Sequence, residues 1–164
     1  GQGSTQMNRL EKTVNKLKAY PNWVLSFAIQ RIVKFTGTAG ISYDLMTTDK
    51  VVVSMKNRAK VQNHIGQIHA AAMMLLAETA TGMVLGMNVP DDKLPLLKSM
   101  NCKYVKRSQG RMEAEATLTE ELKQKIMTEE KGDVVVPVTI TDEAGQEPII
   151  CEACWAWVPK KKRS

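Results

Sequence analysis

Two periods of hydrophobic residues alternate along the chain, and their order predicts the fold. Leu10, Val14 and Leu17 recur at helical spacing, with Lys12, Lys16 and Lys18 on the opposite side. Tyr20-Pro21-Asn22 interrupts this helix, and Leu25, Ile29 and Ile32 continue a second one up to Thr36-Gly37-Thr38. The period then drops to two. Ile41, Tyr43 and Leu45 alternate with Ser42 and Asp44, and after a turn near Thr48-Asp49, Val51, Val53 and Met55 alternate with Val52 and Ser54. Two strands joined by a tight connection are expected.

From Ile65 to Pro90 only His69 and Glu78 are ionisable before the closing Pro90-Asp91-Asp92. Ile68, Ala72, Leu75, Leu76 and Thr79 keep helical spacing in this segment, and most of the rest is apolar too. A helix apolar nearly all round is buried on most sides. Gly82 and Gly86 are expected to loosen its end.

Strands return after it. Met100, Cys102 and Tyr104 alternate with Asn101 and Lys103, then Gln109-Gly110 turns. Met112, Ala114, Ala116 and Leu118 alternate with Arg111, Glu113, Glu115 and Thr117. A short helix near Glu120 to Met127, a strand from Val134 to Ile140, a turn at Ala144-Gly145-Gln146 and a strand from Ile149 to Val158 complete the pattern. The last four strands are expected in antiparallel succession. One helix finds apolar surroundings on nearly every side only where a twisted sheet curls round it. The expected class is α+β: a curved antiparallel sheet around one long central helix. Residues 1–37 form a helical extension, 38–159 the main domain, and 160–164 a basic tail.

Composition narrows the class. With 164 residues the chain holds one domain with a core able to stand alone. No apolar run is long enough to span a bilayer, and the polar N-terminus lacks a secretory pattern. Three cysteines are an odd number, against a disulfide framework, so a cytoplasmic, reduced location is the default expectation. The net charge of +6 favours anionic partners, either nucleic acid or a phosphate-bearing cofactor. Neither an aromatic-studded basic strand nor a recognition helix supports nucleic acid. The tail Lys160-Lys-Lys-Arg163 has the look of a nuclear-import signal, but a solvated strand end explains it better. Cys151-Glu-Ala-Cys154 falls in a strand, where i and i+3 face opposite ways, so ordinary packing is favoured over a redox or metal motif.

The candidate chemistry lies in Asn63-His64-Ile65-Gly66-Gln67-Ile68-His69-Ala70-Ala71-Ala72 and in Glu78 beyond it. An acid in an apolar helix must be paired, hydrated or protonated, because desolvating a lone carboxylate is costly. Such an acid suits a general base. The free N–H groups and positive end of the helix dipole would stabilise a developing oxyanion.

This stretch resembles the signature of hotdog-fold thioesterases of the phenylacetate-pathway and 4-hydroxybenzoyl-CoA type. In these, an Asn precedes a His by six positions and an acid follows nine later, as Asn63, His69 and Glu78 do here. The strand order from about Ala39 to Val158 agrees, and a subgroup whose helix opens His-Ala-Ala is the most similar. The resemblance implies hydrolysis of an acyl-CoA at a site shared by two subunits of a dimer or dimer of dimers. In it Glu78 of one chain activates water, and the Ala70 N–H of the other polarises the thioester. Asn63 positions water or carbonyl, and His69 holds the loop. Small residues at Gly66, Ala70 and Ala71 admit the carbonyl, and Lys106, Arg107 and Arg111, with Lys103, reach the CoA phosphates. No metal and no cofactor beyond CoA is implied.

Two departures stand out. The usual His-Gly-Gly is His69-Ala70-Ala71, with less backbone freedom. The Ser or Thr that many relatives carry on the following strand falls near Leu96 to Lys98, with Ser99 the nearest hydroxyl. The alternatives are a structural Glu78 paired with a base at an interface, a His69 that only satisfies backbone groups, a solvated basic turn, and a non-catalytic protein that binds an acyl group.

Overall fold

The structure is a computed structural model, and it describes residues 40–56 and 70–160. The two helices expected before residue 38, the basic tail beyond residue 160, and Asn63, His64, Gly66 and His69 lie outside the described residues. Strands β1 (Ile41–Met46) and β2 (Lys50–Met55) pair antiparallel as expected. Thr47 makes the turn between them: its hydroxyl donates to Lys50 O and accepts from the Asp49 and Lys50 N–H groups. One expectation fails within β1. The register slips between Tyr43 and Leu45, and this bulge inverts the alternation. Met46 is therefore buried, and Leu45 is 41% exposed.

Helix α1 (Ala70–Gly86) follows, then β3 (Lys93–Tyr104), β4 (Met112–Thr117), helix α2 (Glu120–Thr128), β5 (Gly132–Val136), β6 (Val138–Thr141) and β7 (Ile149–Pro159). Strand β4 has the alternation read from its sequence: Met112, Ala114 and Ala116 are buried, and the acids between them are half-exposed. Helix α2 starts at Thr119, whose side chain accepts from the Leu122 N–H while Glu120 and Glu121 occupy the first turn. Its single buried residue, Ile126, anchors it.

The strands after α1 are not in antiparallel succession. The sheet orders are β1-β2-β4-β6 and β3-β7-β5. Thus β4 lies beside β2, and β3 pairs with β7 along its whole length. The segment between β3 and β4 is consequently a crossover and not a hairpin. Strand β3 also begins seven residues before the expected Met100, at Lys93. It is the edge of its sheet, and Leu94, Leu96 and Leu97 are all exposed, so Leu94 to Leu97 carry no alternation to read. The strand predicted over 134–140 divides at Pro137, which has no N–H to continue a ladder. Val134, Val136 and Ile140 still turn inward across the break, but hydrogen bonding passes from β7 to β4 there. One chain segment therefore joins the two sheets.

Helix α1 packs against β1, β2, β4 and β6 of one sheet and β3 and β7 of the other. Leu76, Ala77, Ala80, Val84 and Leu85 are fully buried in this embrace. Thr79 and Thr81 are buried too, their hydroxyls donating to Leu75 O and Ala77 O. The helix ends where Asn88 donates to Val84 O and to Thr48 O in the β1–β2 turn. Gly82 does more than loosen this end. A Cβ there would sit 2.8 Å from two atoms of the Trp155 ring, so only glycine lets β7 approach the helix here. The Trp155 indole N–H donates to Thr81 Oγ1 at 2.8 Å. No helix among the described residues is long and apolar enough to cross a membrane.

Candidate functional site

One stripe of α1 escapes full burial. Ala71 is exposed, and Met74, Leu75, Glu78 and Gly82 are half-buried, at steps of three and four that keep them on one side of the helix. Glu78 is thus neither deep in the core nor on an open surface. No side chain among the described residues hydrogen-bonds or ion-pairs with its carboxylate. The base expected of a purely structural acid is not among them.

At the described N-terminal end of α1 stand Ala70 and Ala71. Among the described residues of α1 the first turn holds no acid and the last turn no base. Eight residues separate Ala70 from Glu78. At about 1.5 Å of rise per residue this is about 12 Å along the axis. One substrate carbonyl and one attacking water do not span that distance.

Sequence reasoning missed Tyr104. Its hydroxyl donates to Ala70 O at 3.3 Å and ties the end of β3 to the start of the helix. Its phenol is pushed above the ordinary tyrosine range, chiefly by burial and further by Cys102 and Cys151. Only the contact of residues 34 positions apart reveals this role; an alternating strand position carried no local signal for it.

The basic segment follows Tyr104 directly in the chain. Its residues do not act as one cluster. Arg111 reaches Asp44 on β1 at 3.5 Å, Lys106 donates to Gln146 at 3.5 Å, and Arg107 is exposed. The segment is fastened to the β6–β7 turn: the Gln109 N–H donates to Asp142 Oδ2, and the Glu143 N–H donates to Gln109 O. Ser99 is exposed on β3. Cys151 does not meet Cys154; it faces Cys102 across β3 and β7. No group of three or more His, Cys, Asp or Glu side chains among the described residues is placed to hold a metal ion.

A long helix held against strands of two antiparallel sheets, with a half-open stripe carrying one acid, defines a hotdog-fold protein. Residues 21–158 match the family described as "Domain of unknown function (DUF4442)", and the chain belongs to it. Solved structures agree in fold. A protein of unknown function from Pseudomonas aeruginosa, described as a probable thioesterase, superposes with a TM-score of 0.76 at 22% identity, over 86% of this chain and 97% of that one. A thioesterase from Haemophilus influenzae gives 0.69 at 14% identity, over 88% and 94%. A mutant thioesterase from Staphylococcus aureus gives 0.66 at 23% identity, over 77% and 99%. No curated protein matches the sequence.

Proposed function

We propose that the protein is a thioesterase that hydrolyses an acyl-CoA by carboxylate-assisted attack of water, at a site shared by two copies of the chain. The observation that carries this reading is the half-buried Glu78 carboxylate, unpartnered among the described residues, on the one open stripe of a helix otherwise enclosed by sheet. A carboxylate so placed accepts a proton from water without competition from a fixed cation. The start of α1 and its dipole supply the complementary pole for the thioester oxygen. Asn63 and His69, six residues apart, complete the set by the resemblance. Arg107 and Lys106, beyond Tyr104, are the bases best placed for CoA phosphates, while Arg111 is engaged with Asp44. The thioesterase descriptions of the structural neighbours point the same way.

The second copy pairs through β3. Its outer edge has no strand partner among the described residues, and Leu94, Leu96 and Leu97 are 44%, 45% and 36% exposed. A long apolar edge of this kind invites a second strand. A two-fold dimer with a continuous sheet covers it.

Ala70-Ala71 at the helix start and the exposed position of Ser99 favour a second reading, a protein that binds an acyl-CoA without cleaving it. A thiol-release assay over acyl-CoAs of graded length and aromaticity separates the two. Steady release of CoA thiol from at least one ester is expected. Tight binding with no release from any ester would establish the binder instead.

A further inference from the structure

The Cys102–Cys151 pair lies outside the proposed hydrolytic chemistry. These residues are directly opposed in the β3–β7 register, and their sulfurs are 2.8 Å apart. Facing residues of an antiparallel pair have Cα atoms about 4.5–5.5 Å apart. That range lies within the roughly 4.4–6.8 Å that a disulfide requires. The sulfurs already face each other at 2.8 Å, against about 2.05 Å in a disulfide.

We propose that Cys102 and Cys151 form a thiol–disulfide exchange site that takes a low-molecular-weight disulfide, with Cys102 attacking and Cys151 resolving. Burial sets the roles. Cys102 is half-buried on the edge strand, and Cys151 is 9% exposed beneath it. Desolvation, reinforced by the hydrogen bond and charge of Cys102, pushes the Cys151 thiol well above the usual cysteine range. Cys151 therefore keeps its proton, and Cys102, the less buried of the two, is the sulfur placed to meet a small disulfide.

The exchange balances as follows. Cys102, its proton released to solvent, attacks one sulfur of the small disulfide. A mixed disulfide forms and one small thiolate leaves. That thiolate takes the Cys151 proton, and the Cys151 sulfur attacks Cys102 Sγ. The second small thiolate departs and is protonated from solvent. The two cysteines are oxidised to one disulfide, and the small disulfide is reduced to two thiols. The bond fastens β3 to β7 two residues from Tyr104, the residue that holds the start of α1.

The test uses the folded full chain incubated with excess oxidised glutathione, then denatured and alkylated for intact-mass analysis. Before oxidation all three cysteines alkylate; afterwards one does, Cys154, with no glutathione retained and a Cys102–Cys151 linked peptide on mapping. Dithiothreitol restores three. Cys151→Ser stops at a glutathione adduct on Cys102, and Cys102→Ser forms no bond at Cys151. Mapping of the wild type reads the bond even where a substitution disturbs the fold. Three alkylatable cysteines after prolonged incubation, an adduct on wild-type Cys102 that never resolves, or a bond through Cys154 would each overturn the proposal.

Discussion

A lone acid in an apolar helix is the residue-scale feature on which the functional reading turns. Glu78→Gln keeps its shape and removes the proton acceptor. Turnover should fall by about two to four orders of magnitude, the usual loss with a positioned base. Melting temperature and assembly mass should stay at their wild-type values. A folded variant that hydrolyses at the wild-type rate would remove Glu78 from the chemistry. Gly82 supports a second prediction, on stability. Gly82→Val places a branched side chain where a Cβ alone would lie 2.8 Å from the Trp155 ring. Displacing the indole also costs its bond to Thr81, and overpacking of this kind destabilises by about 1–3 kcal/mol. Denaturant titration should show a lower midpoint with an unchanged slope. Glu78 was legible in the sequence because nothing else between Ala70 and Pro90 is charged. Tyr104 and the facing of Cys102 with Cys151 were not, because each depends on the register of strands far apart in the chain. Asn63, Gly66 and His69 fall outside the described residues, so the structure neither unites them with Glu78 nor separates them from it.

At the scale of elements, legibility followed burial. Strand β4 has one face in the core and one in water, and its alternation survives in the sequence. The first seven residues of β3 have no such asymmetry, and their sequence carries no alternation. The bulge at Asp44 and the break at Pro137 each change pairing without disturbing composition; the first inverted Leu45 and Met46, and the second divided a strand that reads as continuous. Helix α2 is held at its start by Lys123, which donates to Asp49 at 2.6 Å and lies 3.2 Å from Glu120. The bond to Asp49 holds the Lys123 ammonium above the ordinary lysine range, against a smaller opposing effect of burial. A raised pKa in the folded state stabilises below the unfolded value of about 10.4 and loses that contribution as pH rises through the folded value. Asp49→Ala should therefore lower stability at neutral pH by roughly 0.2–1 kcal/mol, as for an exposed pair. The gap between variant and wild type should close in strong alkali. A gap that stays constant there would assign the loss to the turn and not to the ion pair.

For the whole molecule, the arrangement of Ala70 and Glu78 and the open edge of β3 make the same demand. In the proposed site Ala70 and Glu78, eight positions apart, come from two helices, and the apolar edge gives those helices a way to meet. Light scattering at micromolar concentration should report twice the 18.2 kDa of one chain. Leu96→Lys places a charge on the exposed part of β3 and should yield a folded monomer with little or no turnover. An active wild-type monomer would rule out the shared site.

The pairing of β3 with β7 also shapes how the chain reaches its native state. Cys102 and Cys151, neighbours in the finished sheet, are 49 residues apart in the chain. On a ribosome the β1–β2 hairpin has its partner strand at hand almost at once, whereas β3 emerges long before β7 and waits with its inner edge unpaired. Contacts of such long sequence separation close slowly, and exposed strand edges aggregate while they wait. Nascent chains stalled between β4 and β7 are consequently the species most in need of a holding chaperone, and synthesis slowed in that interval should cost yield more than the same delay before β3.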